Sequence, residues 1–147
     1  MISYEEVIRR SEAAGGKRPL LTLAEFFAGN TQEDSIAPNQ WGPAEEGGCD
    51  RPPLAEIHRR LVELEACSDV AWVRVQLHED TFDGDSVSAE SIAICTTSKT
   101  DEIERRLRAI DELGSDGVME GLSYDEKDFC DMPHIPAGHR LTSLVWD

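Results

Sequence analysis

The chain predicts an α+β fold: two helices laid over one face of a four-stranded antiparallel sheet, preceded by short N-terminal helices. Three patterns carry that reading. Leu54, Ile57, Leu61 and Leu64 recur at the spacing of one helix face, while Glu56, Arg59, Arg60 and Glu63 take the other. Residues 70–78 alternate, with Ala71, Val73, Val75 and Leu77 on one side and Trp72, Arg74, Gln76 and His78 on the other. Ile103, Leu107 and Ile110 form a second helical stripe. With 147 residues, 39% of them hydrophobic, there is enough apolar material for one core, so a single domain over 1–147 is expected.

From the N-terminus, Ser3 and Glu6 stand at the spacing of a capping box, and Val7 and Ile8 give the following helix an apolar face as far as Gly15 and Gly16. Thr22 and Glu25 repeat the signature. Leu21 and Phe26 occupy the two positions of a hydrophobic staple around it, and Gly29-Asn30 closes this second, two-turn helix. Residues 31–53 hold Gly, Pro, Asn and Glu without apolar periodicity, which reads as a long loop. Trp41 within it either folds back onto the body or anchors a partner. Pro53 suits the first turn of the helix over Leu54–Leu64.

The strand at 70–78 is followed by an acidic turn over Glu79–Asp85, expected to be a solvated hairpin turn, and by a second strand over Val87–Thr97. Ser98 can cap the next helix and Gly114 can end it. Strands over Val118–Tyr124 and Arg140–Trp146 complete the order α-β-β-α-β-β. That order is a βαββαβ ferredoxin-like chain with its first strand moved to the end. It predicts the spatial strand order first, second, fourth, third, with the two hairpin loops at opposite ends and a core of Ile57, Leu61, Val73, Val75, Ile92, Ile94, Leu107 and Ile110. The fold by itself assigns no function.

Thirty acidic residues against fourteen Lys and Arg leave a net charge of −16, which excludes a free-standing nucleic-acid backbone binder or a basic membrane-surface module. The N-terminal segment is acidic where a secretory signal would be apolar, so a cytoplasmic location is expected. Cys49, Cys67, Cys95 and Cys130 lie far apart, as free thiols would, with Cys67 and Cys95 read as small core residues. Asp80, Asp83 and Asp85 surround a glycine but miss the calcium-loop spacing, and the twelfth position from Asp80 is Ser91 in place of Glu. Cys130, His134 and His139, with Asp128 or Asp131, match no common zinc spacing. No metal and no cofactor are expected.

His78 with Glu79, or Cys130 with His134, could be assembled as catalytic pairs, but no nucleophile elbow, phosphate loop, dinucleotide fingerprint or metalloprotease helix frames them. The chain is therefore read as a non-enzyme. Its distinctive feature is where the charge lies. Residues 79–90 hold five acidic side chains and no Lys or Arg, and residues 111–131 hold eight acidic side chains and one Lys. A surface of that kind suits docking of a basic protein partner, since complementary fields speed encounter and reject wrong partners. The expected partner-binding residues are Asp80, Asp83, Asp85, Asp125 and Asp128, with Asn39, Gln40 and Trp41 from the long loop. An inhibitor of a basic toxin, in the manner of an immunity protein or antitoxin, is the most concrete form of this function. The alternative is a small enzyme or ligand-binding domain using the 35–41 loop and a cleft beside the sheet.

The stretches Leu21–Asn30 (LTLAEFFAGN), Ser35–Trp41 (SIAPNQW) and Leu144–Asp147 (LVWD) resemble those of a group of small, acidic, uncharacterised bacterial proteins. The resemblance spans most of the chain and implies a bacterial cytosolic protein. It brings no activity, cofactor or catalytic residue to carry over.

Overall fold

The computed structural model describes residues 1–36 and 51–146. Helix α1 (Tyr4–Ala13) starts at Ser3, whose hydroxyl accepts the Glu6 N–H at 3.2 Å. The Glu6 carboxylate turns to Arg9 and Arg10 rather than back to the cap. Two short strands, β1 (Arg18–Pro19) and β2 (Leu21–Thr22), lead into α2 (Leu23–Phe27). Here the capping box is complete: Thr22 accepts the Glu25 N–H at 3.1 Å and Glu25 accepts the Thr22 N–H at 2.8 Å. Leu21 and Phe26, the staple pair, are both fully buried.

Helix α3 (Leu54–Glu65) follows Pro53. Strand β3 (Val70–Leu77), the single turn α4 (Asp80–Asp83) and strand β4 (Ala89–Thr96) come next, so the acidic connection contains one helical turn that buries Thr81. Helix α5 (Thr100–Leu107), strand β5 (Gly117–Glu120), a 3₁₀ turn (Glu126–Asp128), β6 (Phe129–Cys130) and β7 (Arg140–Val145) complete the described chain.

Five strands form one antiparallel sheet in the order β2-β3-β4-β7-β5, while β1 and β6 make a separate parallel pair. The four longer strands stand in the expected spatial order. The four-stranded count is corrected by β2, which adds an edge strand from only two residues, too few for any periodicity to announce. This strand and the β1–β6 pair depart from a plain permuted ferredoxin-like sheet.

On the first face of the sheet Val73, Val75, Ile92, Ile94 and Leu144 pack with Ile57, Leu61, Ile103 and Leu107 in one buried cluster, joined by Val7 and Phe26. Ile110 does not belong to it and is 53% exposed. Helix α5 stops before that residue because Arg108 adopts the left-handed conformation (φ 47°), which turns the chain so that Ala109 and Leu113 are buried instead. Gly114, though also left-handed at φ 62°, lies beyond the helix it was expected to end. Ser98 does not cap α5 either: Lys99 holds that position, and the Ser98 hydroxyl is bonded to Asp69.

The second face, which alternation assigns to Trp72, Arg74, Gln76 and His78 and whose polar residues suggest solvent, is largely covered. Trp72 and Gln76 are buried, and Trp72, Ala93, Cys95 and Leu141 pack against Leu122, Met132 and Ile135 of the segment between β5 and β7. The Trp72 indole N–H donates to the His134 carbonyl at 3.0 Å. A register shift between Val70 and Trp72 leaves Ala71 exposed, so Val70 takes its place in the core. A strand buried on both faces still alternates in sequence when its second face carries Trp, Arg and Gln, which is why the covering layer was invisible there.

Candidate functional site

The connection from β3 to β4 and the segment after β5 meet at Arg18. Its guanidinium carbon lies 3.6 Å from the centre of the Tyr124 ring and 5.7 Å from that of Phe82. Phe82 belongs to α4 in the first acidic segment, and Tyr124 immediately precedes Asp125 in the second. The expectation that the two acidic loops lie at opposite ends is thereby overturned. The chain leaving β5 crosses the second face of the sheet before returning to β7, and this brings its acidic residues to the β3–β4 connection. Position 18 lies at the strand where β1 pairs with β6, with Arg18 opposite Phe129. Arg18 carried no sequence signal for this role, since a lone Arg beside Pro19 says nothing about distant aromatic rings.

Burial, assisted by the nearby Glu90 carboxylate, pushes the Tyr124 hydroxyl above its ordinary pKa. The Tyr4 hydroxyl donates to the Gly84 carbonyl at 2.7 Å and ties α1 to the same connection. Asp83 and Asp85 are exposed, as is Asp80, whose carboxylate lies 3.4 Å from His78 Nδ1. Asp125 caps the 3₁₀ turn by accepting the Lys127 N–H at 3.2 Å and pairs with the Lys127 ammonium; both contacts lower its pKa. Asp128 is exposed. Asn39, Gln40 and Trp41 lie outside the described residues.

Glu90, counted in the acidic 79–90 segment but not among the named partner-binding residues, also belongs to this surface. The β3–β4 ladder pairs Gln76 with Ser91 and Leu77 with Ala89, so Glu90 is the extra residue of a bulge. The bulge turns its side chain out of the alternation. Glu90 Oε2 sits 3.3 Å from His78 Nε2, while His78 Nδ1 accepts the Asp80 N–H at 3.1 Å. The carboxylates that contact the His78 ring are those of Glu90 and Asp80 rather than that of Glu79, with which a catalytic pair could be assembled from the sequence.

Beside Glu90 a cleft of ≈ 610 Å³ opens on the uncovered part of the second face, between β5, β7 and Leu122. Its floor rests on a buried polar network. The Gln76 amide donates to the hydroxyls of Ser91 and Ser143, both at 2.8 Å, and its oxygen accepts the Ser123 N–H at 2.9 Å. Ser91 and Ser123 share a 2.6 Å hydrogen bond, and Ser143 donates to the Gly121 carbonyl at 2.7 Å. Each group is satisfied by another, which holds the floor in one arrangement.

Cys130 lies in β6, where burial and the Asp131 carboxylate push its thiol up, against thiolate formation. His134 contributes its backbone carbonyl to Trp72, and its ring is exposed. Among the described residues, no three His, Cys, Asp or Glu side chains are arranged to hold a metal ion, and no helix is long and apolar enough to cross a membrane.

No curated protein and no solved structure matches the chain. Residues 2–144 match the uncharacterised YfbO protein family, and the chain belongs to that family.

Proposed function

We propose that the protein is a non-enzymatic docking domain that binds a basic protein partner through the surface where the two acidic segments join. The observation that carries this reading is the meeting of residues 79–90 and 124–131 around Arg18, which merges two charge clusters into one face. The distribution of arginines supports it. Arg9, Arg10, Arg59, Arg60, Arg105, Arg106 and Arg108 are engaged by Glu6, Glu25, Glu56, Glu63, Glu102, Glu112 and Asp69. On the joined surface Lys127 pairs with Asp125, and the His78 ring lies against the Asp80 and Glu90 carboxylates. At the junction itself Arg18 and Lys127 face nine acidic side chains of residues 79–90 and 124–131, so its formal charge is negative.

A fixed negative face can raise the encounter rate with a basic partner by about 10- to 1000-fold at low salt. An immunity- or antitoxin-like inhibitor of a basic toxin is the concrete form of the proposal, because such a toxin's substrate groove is itself positive. Affinity capture from the source cell, followed by binding kinetics at two salt concentrations, tests it. A partner should associate more slowly with an Asp80→Asn, Asp83→Asn, Asp85→Asn variant. A partner indifferent to salt and to these charges would reduce the acidic face to a solubilising one.

The alternative, a ligand-binding domain using the cleft, draws on the Ile36–Ala89 bridge, which leads the chain before residue 37 to the strand position next to Glu90. Turnover or saturable binding of a small molecule would favour it.

A further inference from the structure

The segment that covers the second face of the sheet stops short of β5. Around the cleft Met119 is 59% exposed, Val145 of β7 is half-buried, and Leu122 at the edge of the covering segment completes an apolar wall. The lining also includes Glu90, Asp116 and Glu120, and no Lys or Arg. A partner group complementary to this lining has a hydrocarbon body and a positive tip, which is the build of a lysine or arginine side chain.

We propose that this cleft receives a basic side chain from an extended segment of the partner, its stem against Met119, Leu122 and Val145 and its charge among the three carboxylates. The inference rests on the docking reading above and locates where such a partner is held. Two features support it. The bulge at Glu90 aims a carboxylate into the cleft that regular strand alternation would have sent to the other face. The cleft is also continuous with the joined acidic surface: Glu90 faces His78, and Ser123 on the cleft wall precedes Tyr124 and Asp125. A basic segment drawn to Asp80, Asp83 and Asp85 arrives beside it.

The edge of β5 is not offered for strand addition. Its outward Val118 N–H is already taken by Glu104 Oε2 at 3.0 Å, an approach that only a glycine at 117 permits, since a Cβ there would stand 2.6 Å from that oxygen.

The test is an NMR titration of the full chain with hexa-lysine, with fully acetylated hexa-lysine as the uncharged control. The expected result is saturable shifts of the Gly121, Ser123 and Ser143 amides and the Met119 methyl by hexa-lysine and not by the control. Met119→Lys, which places the protein's own cation at the exposed rim, should weaken this binding at least tenfold, whereas Met119→Gln, which removes apolar contact without adding a charge, should weaken it by a clearly smaller factor. Shifts confined to residues 78–88 and 125–131 would overturn the cleft assignment while leaving the docking face intact. No charge-dependent shift anywhere would overturn both.

Discussion

The guanidinium of Arg18 stacks on the ring of Tyr124, 3.6 Å from its centre, and also lies 5.7 Å from the centre of the Phe82 ring in α4, so one side chain touches both acidic segments.

Removing this stack should loosen the junction. Arg18→Ala is expected to lower stability by about 1–2 kcal/mol and to increase hydrogen exchange in residues 121–131, with little change in α3. Arg18→Lys keeps the charge without the planar stack and should recover only part of the loss. Unchanged exchange in Arg18→Ala would show that the acidic segments are held together by other contacts.

The polar network under the cleft is a second point of strain if broken. Gln76→Leu leaves the Ser123 N–H and the Ser91 and Ser143 hydroxyls each without one partner, at a cost of about 1–3 kcal/mol. Chemical denaturation measures it, and a neutral outcome would mean that water replaces the amide.

Core phase can be tested with one pair of variants. Leu61→Ala, at a fully buried site, should cost about 2–4 kcal/mol, whereas Ile110→Ala, at a site 53% exposed, should cost well under 1 kcal/mol. Equal losses would contradict the left-handed stop at Arg108.

Stability should also respond to pH through two groups. His58 stacks on Phe27 with ring centres 5.1 Å apart, and burial lowers its pKa from 6.5. The unfolded chain therefore binds the proton more readily, so this contribution is complete above pH 6.5 and is lost as pH falls below it. His58→Phe should flatten that slope. Asp69, held by Arg106 and Ser98, has its pKa lowered from 3.8 to about 2; its contribution is present above pH 3.8 and is lost as pH falls toward 2. Asp69→Asn should remove that part of the acid transition in a denaturation series.

Much of the scaffold was legible before the structure. Helix α3 announced itself because its apolar residues keep one period over three turns, strands β3 and β4 through Val73, Val75 and Leu77 and through Ile92 and Ile94, and Thr22 with Glu25 marked α2 by side-chain chemistry alone. The end of α5 was not legible, because Arg108 is left-handed without being Gly or Asn. Nor was the site. Asp80, Asp83 and Asp85 were visible as charge, but their union with Asp125 and Asp128 depends on Arg18 meeting Tyr124 and Phe82 across the fold. The role of Glu90 depends on a one-residue bulge, which alternation cannot reveal when the residues around it are Ala, Ser and Glu.

The central claim is that the two acidic segments act as one docking face. It is tested most directly by the association rate constant of the captured partner, measured against ionic strength for the unmodified protein, for Asp80→Asn, Asp83→Asn, Asp85→Asn, for Asp125→Asn, Asp128→Asn, and for the combined variant. Each cluster should reduce the rate and flatten the salt dependence, with the combined variant flatter than either. A rate that depends on only one cluster, or on neither, would contradict a single joined surface.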